Sequence, residues 1–288
     1  MRHLVVDLPD ISEFNLYPIS DVQVGAIGVA ETHFRNHIEE ALADPLARFG
    51  GVGDYTDSLS PSNRKLLEKA FIDGTLYDTP EAMIQSAGNE YANRFVELVS
   101  GTEGKWDWML QGHHKLDYKV PHKDGTHTVR TTDHDIADAL GVPYLGQTGT
   151  KIPQALISYR LGSPRRGVKR PVLRVYAAHG QKGGDSWANP LSQLDKMTRT
   201  FNAHIYIIAH HHRLVGGRTV KLNEEVEATT RLRATDSVIV SAGSFMRSYM
   251  PDVVTYAEDG MLSPLAIGAP MIAIRSHGDG TFKMRTTT

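Results

Sequence analysis

The chain has no cysteine among its 288 residues. That excludes a disulfide framework and any thiolate zinc site, so a metal would have to be held by His, Asp, Asn or Gln. It has no excess of either charge: 31 Lys and Arg against 33 Asp and Glu leave a formal net charge of -2. Such a balance excludes a protein that coats nucleic acid non-specifically, while a local basic patch stays open. Long apolar runs are lacking too. No stretch approaches the roughly 18 uncharged apolar residues of a membrane span, and Met1-Arg2-His3-Leu4-Val5-Val6-Asp7 has no apolar segment of signal-peptide length. The expectation is a cytoplasmic protein without membrane association. The length supports a substantial core, and a single domain over 1–288 is expected.

Histidine is present in quantity, 14 in all. The most informative stretch is His204-Ile205-Tyr206-Ile207-Ile208-Ala209-His210-His211-His212-Arg213. Its β-branched apolar run predicts a short buried strand that ends in three imidazoles. If the extended conformation continues, His210 and His212 share a face and His211 points away. An isolated run of three histidines is more often a surface feature, so the rest of the chain decides.

Other segments repeat the pattern. Phe14 to Ser20 reads as a strand leading to Asp21-Val22-Gln23, and Phe49 to Val52 as one leading to Gly53-Asp54. Trp106 to Leu110 precedes Gly112-His113-His114, and Val172 to Ala178 precedes His179-Gly180. Further strands are expected at Leu156 to Leu161 and Val238 to Val240, with a closing hairpin of Met271 to Ile274 and Thr281 to Met284. Ala30 to Arg48 has helical periodicity, interrupted at Pro45. Pro61 can open a helix, as can Pro80, and Glu81 to Val99 is helical in pattern, which together suggest a helical insertion over about 58–104. A second insertion, loop-rich and His-rich, is expected over about 115–151, as a lid, a specificity loop or a solvated connector, with one helix near Asp133 to Leu140. Asn189 to Phe201 reads as a helix.

Five apolar runs therefore end in a metal-capable residue. The ordered set, Asp21-Val22-Gln23, Gly53-Asp54-Tyr55-Thr56-Asp57, Gly112-His113-His114-Lys115, His179-Gly180 and Ala209-His210-His211-His212, resembles the motif series of the calcineurin-like metallophosphoesterase superfamily. The resemblance spans about residues 14 to 245 and includes Ser241-Ala242-Gly243-Ser244. It implies a four-layer α/β/β/α sandwich of two mixed sheets flanked by helices. It implies, too, that Asp54 bridges two divalent transition-metal ions, with Asp21, Gln23 and His212 completing one site and His113, His179 and His210 the other. His114 would be the catalytic residue outside the metal shell. Two dications about 3.5–4 Å apart clamp a phosphoryl group and activate hydroxide.

Three positions depart from the family pattern. Gln23 stands for the usual His, a neutral amide that weakens one site. His113 replaces the usual Asn, which shifts preference toward Mn, Zn, Fe or Ni and away from Mg. Lys115 replaces the usual acid after the catalytic His and has a second reading as a surface lysine. Asp57 reads as a helix N-cap and is left outside the site. The basic segment Arg160 to Arg170 is a candidate phosphate-contacting loop or a solvated turn, and Arg247 the candidate substrate-binding residue. The resemblance implies a phosphodiesterase acting on a nucleotide or nucleic acid. A phosphomonoesterase and a non-catalytic metal-binding scaffold are the alternatives; oligomeric state is not encoded in these motifs.

Overall fold

The apolar run that precedes the histidines is buried at all four positions because its two faces meet different layers. Ile205 and Ile207 enter a cluster between two sheets, Tyr206 and Ile208 a cluster beneath a helix. Alternation along a strand thus serves two cores at once, which explains why such segments read as continuous apolar runs. The computed structural model describes residues 1–57, 70, 73, 78–146, 150–164, 169–181, 186–226 and 230–288.

In chain order the strands are β1 (Arg2–Leu8), β2 (Glu13–Ile19), β3 (Ala47–Gly51), β4 (Trp106–Met109), β5 (Asp117–Pro121), β6 (His127–Thr131), β7 (Gln154–Leu161), β8 (Val172–Ala178), β9 (Ile205–Ile208), β10 (Leu214–Val226), β11 (Thr230–Ala242), β12 (Met271–Ser276) and β13 (Phe282–Thr287). The helices are α1 (Glu31–Leu42), α2 (Asp78–Leu98), α3 (Thr132–Ala139), α4 (Ala188–Thr200) and the short α5 (Tyr256–Asp259). One mixed sheet has the order β1-β7-β8-β9-β11-β10, the other β13-β12-β2-β3-β4, and β5 pairs with β6 apart from both.

The two sheets pack face to face through Phe14, Leu16, Trp108 and Ile272 on one side and Ile157, Tyr159, Val175 and Val240 on the other. Trp108 is fully buried and its Nε1 donates to the Tyr159 hydroxyl at 2.9 Å, so the indole's polar end is satisfied between the layers. Truncation of such a residue to Ala costs about 3–5 kcal/mol. On the outer face of β2, β3 and β4 lie α1, α2 and α3, whose Phe34, Ile38, Phe95 and Ile136 pack on Ile19, Phe49, Trp106 and Met109. Helix α4 covers the other sheet with Leu194 and Met197 against Tyr176 and Tyr206. The order of layers is α/β/β/α, as expected.

Several local expectations change. The helix expected from Ala30 to Arg48 ends at Leu42, and Ala47 and Arg48 belong to β3, whose pairing with β2 outweighs the helical periodicity before it. His210 and His212 do not continue β9: both adopt left-handed backbone conformations, with φ of 70° and 55°. The polar stretch after Lys115 holds the β5–β6 hairpin, which was not expected, ahead of α3, which lies where a helix was expected near Asp133 to Leu140. Strands β1 and β10 were not expected, and both are edge strands. The helix expected to open at Pro61 lies outside the described residues, as do Arg165 and Arg166.

Candidate metal centre

Strands β2, β3 and β4 run parallel, as do β8 and β9, so the loops that follow them meet at one edge of the sandwich. Backbone hydrogen bonds join these loops: Asp21 N donates to Gly53 O (3.1 Å), Gln23 N to Asp54 O (3.0 Å), Asp57 N to Val24 O (2.8 Å) and Leu110 N to Gly51 O (2.8 Å). The turns are sharp. Of seven described non-glycine residues with positive φ, five are Asp21, Gln23, Asp54, His210 and His212. Such conformations cost on the order of 1–3 kcal/mol each and persist where surroundings impose them, most often at functional sites. Gly112 shows the same crowding, since a Cβ there would lie 2.0 Å from Asp54 N.

The side chains converge on two overlapping groups, His113 with His179 and His210, and Asp21 with Asp54 and His179, each with its ligand atoms within 4.8 Å of one another. Asp54 Oδ1 accepts from the amides of His113 (2.5 Å) and His114 (2.9 Å), which turns Oδ2 toward His179 Nε2 at 3.0 Å. His179 Nδ1 is hydrogen-bonded to Val52 O at 2.7 Å, so that nitrogen is the donor and Nε2 faces the cluster. Asp21 Oδ2 accepts from Ser20 Oγ and from His210 N, while Oδ1 lies 3.2 Å from His212 Nε2. Gln23 Nε2 lies 3.4 Å from that same His212 nitrogen. His113 Nδ1 and His210 Nδ1 are 3.4 Å apart, and His113 Nε2 reaches Lys151 O at 2.8 Å.

Three atoms at the centre of this arrangement, Asp21 Oδ1, Asp54 Oδ2 and His179 Nε2, are buried and meet only the facing carboxylates and imidazoles of the cluster. Buried polar atoms of native proteins are nearly always satisfied, so three that face one another fit a bound cation. The protonation pattern agrees. Burial lowers the His113 pKa and takes that of His210 to about 4, with His179 adding to both shifts, so each offers a neutral nitrogen lone pair at pH 7. Burial opposes ionisation of Asp54, but His179 and His114 more than offset it and hold the carboxyl well below the usual range. Burial also opposes a charge on His179, yet Asp54 raises it to about 9. Without metal, a proton on His179 therefore supplies the positive charge that the two buried aspartates require. A His/Asp donor set without thiolate suits borderline divalent metals.

His114 sits outside the ligand set. Its Nδ1 lies 3.1 Å from Asp57 Oδ1 and its Nε2 3.8 Å from Asp54 Oδ2. Asp57, read above as a helix cap, thus faces the candidate acid; the signal was its place three residues after Asp54. Lys115 pairs with Asp117. Arg213, which follows His212, is buried with its guanidinium over the Trp187 ring at 4.7 Å. The Arg247 amide donates to Gly28 O at 2.7 Å, and Phe245 N to Asp21 O at 3.0 Å, so Arg247 lies on the loop beside Asp21. Its guanidinium makes no contact with the cluster among the described residues. Arg160 and Arg170, the described ends of the basic segment, flank the end of β8 opposite His179, roughly 20 Å away along the strand. There Arg170 pairs with Asp7.

No family model and no curated protein matches the sequence. Among solved structures, the chain is similar to Vps29 from Entamoeba histolytica (TM-score 0.32, 11% identity, covering 95% of this chain and 98% of that one). It is also similar to a predicted phosphoesterase from Streptococcus pneumoniae (TM-score 0.34, 8% identity, 96% and 99% covered). A third is the calcineurin-like phosphoesterase YfkN from Bacillus subtilis (TM-score 0.28, 8% identity, 96% and 90% covered). Two of the three are described as phosphoesterases. Likeness at that level carries no substrate, metal or activity across to this chain. Among the described residues, no helix is long and apolar enough to cross a membrane.

Proposed function

We propose that this protein is a metal-dependent phosphoesterase, and that its substrate is a phosphodiester. The observation that carries the reading is the buried convergence of Asp21 Oδ1, Asp54 Oδ2 and His179 Nε2, which meet only other ligand-type groups, set among residues in left-handed conformations. Asp54 would hold divalent metal together with Asp21, Gln23 and His212 and together with His113, His179 and His210. When bound, two such ions supply Lewis-acid charge for a phosphoryl oxygen and lower the pKa of water to within reach of neutral pH.

The chain's own residues do the rest. Asp57 holds His114 by Nδ1 and so presents Nε2 to the cluster, the geometry for a proton donor to a leaving oxygen. The amides of His113 and His114 fix one oxygen of Asp54 and leave the other for metal. Charge supports a diester over a monoester: Lys115 is tied to Asp117 and Arg213 stacks on Trp187. Arg247 would meet the single negative charge of a diester. A dianionic terminal phosphate would call for a further cation, for which Lys151, its carbonyl 2.8 Å from His113 Nε2, is the candidate.

The test is elemental analysis of protein purified without chelator, followed by a hydrolysis screen of nucleotide diesters, nitrophenyl diesters and monoesters with Mn, Zn, Ni, Fe and Mg. The expected result is about two transition-metal ions per chain and hydrolysis of diesters ahead of monoesters. Protein that neither carries nor takes up metal overturns the metalloenzyme reading, and turnover of monoesters alone overturns the diester.

A further inference from the structure

Asp133 is fully buried on the first turn of α3, and its Oδ2 accepts from the Gly112 amide at 2.7 Å. Its other oxygen, Oδ1, makes no hydrogen bond. Three consecutive amides, those of Gly112, His113 and His114, thus point at two carboxylates, the first at Asp133 and the next two at Asp54. The Gly112 backbone is pressed against Asp54, where a Cβ would come within 2.3 Å of Oδ1.

The segment that carries Asp133 grips this loop elsewhere as well. Thr132 N donates to Leu116 O (3.1 Å), Leu116 N to Thr132 Oγ1 (3.2 Å), and Leu145 N to Met109 O (2.8 Å). The Tyr144 hydroxyl reaches Gln111 Oε1 at 3.3 Å. Thr131 caps α3 by accepting from His134 N (3.1 Å), which sets the helix start from which Asp133 projects. Thr132, Tyr144 and Leu145 thus tie this segment to the 109–116 loop at several points.

We infer that Asp133 is a positioning residue for the metal centre: by holding the Gly112 amide it fixes the peptide planes that aim the His113 and His114 amides at Asp54. A carboxylate oriented by backbone donors keeps its other oxygen in one place. Partners that orient metal ligands typically change metal affinity about 10–100-fold when removed.

The inference rests on the proposed metal reading only for its affinity measurement. Asp133→Asn keeps an acceptor for Gly112, whereas Asp133→Leu has similar size and none. With competition against a chromophoric chelator on folded protein, Asp133→Asn is expected to bind Mn or Zn within about threefold of the native chain, and Asp133→Leu about 10–100-fold more weakly. A role in stability alone would lower the melting temperature of Asp133→Leu and leave the affinity of its folded fraction unchanged, and that outcome overturns the inference. Equal loss of affinity in both variants overturns it as well, because charge rather than the Gly112 bond would then matter. Native-state hydrogen exchange of the Gly112 amide covers the case in which Asp133→Leu does not fold. Fast exchange of that amide in the native protein, or in Asp133→Asn at equal stability, overturns the inference, and protection in both supports it.

Discussion

Asp57 Oδ1 lies 3.1 Å from His114 Nδ1, so the imidazole turns Nε2 toward the centre where Asp54 and His179 meet. His114 thus has a nearer carboxylate in Asp57 than in Asp54, whose Oδ2 lies 3.8 Å from Nε2.

His114→Ala is accordingly expected to retain metal. Its activity should fall about 10²–10⁴-fold on a diester with an alkoxide leaving group and much less on a nitrophenyl diester, whose leaving group needs no proton. Asp57→Asn should follow the same leaving-group pattern with a smaller loss. Steady-state rates on the two substrates, with metal content measured in parallel, check both; loss of metal in His114→Ala would make it a ligand instead.

Asp54→Asn removes a fully buried carboxylate of the cluster, so on the proposed reading metal binding and activity should disappear together. In the native chain, metal at 100 times its dissociation constant should add about 2.7 kcal/mol of stability that excess chelator removes. Thermal melts with and without chelator check this, and Asp54→Asn should show no difference between the two conditions.

Gln23 is 4% exposed and its amide nitrogen sits 3.4 Å from His212 Nε2. An uncharged amide is a weaker ligand than an imidazole, so the native chain should titrate with one tight and one weak metal. Gln23→His should tighten the weak site by about tenfold or more, and its left-handed φ of 53° is one that His tolerates better than most residues. Calorimetric titration with Mn or Zn reads both sites; unchanged weak binding would place Gln23 outside the ligand set.

His204 offers a pH test away from the metals. Burial, aided by Arg174, takes its pKa from 6.5 to about 4, and its Nδ1 accepts from the Arg174 amide at 2.9 Å. Between those values the unfolded chain binds a proton that the folded chain refuses. The stability contributed is present above pH 6.5 and is lost as pH falls to 4, by on the order of 3 kcal/mol at most. Urea unfolding of native protein and His204→Asn across that range should show a flatter pH dependence in the variant.

The sequence by itself determined where buried strands run and which residues end them. The expected bounds of β8 match the structure residue for residue, because the run is apolar at every position but the exposed Arg174. Edge strands need no such run: β10 pairs on one side only and holds Gly216, Gly217, Arg218 and Lys221, so nothing in its composition marks it. The order of Asp21, Asp54, His113, His179 and His210 was legible for a similar reason, since each follows a legible strand.

Tertiary structure alone decided how these residues meet. Whether His210 and His212 share a face came not from strand alternation but from left-handed turns imposed by the bonds between loops. Asp57 looked like a cap and Asp133 like an ordinary acid at a helix start, because helix N-termini favour acids whether or not they serve anything else. Their roles depend on partners 57 and 21 residues away in the chain, His114 and Gly112, and no local pattern encodes a contact at that separation.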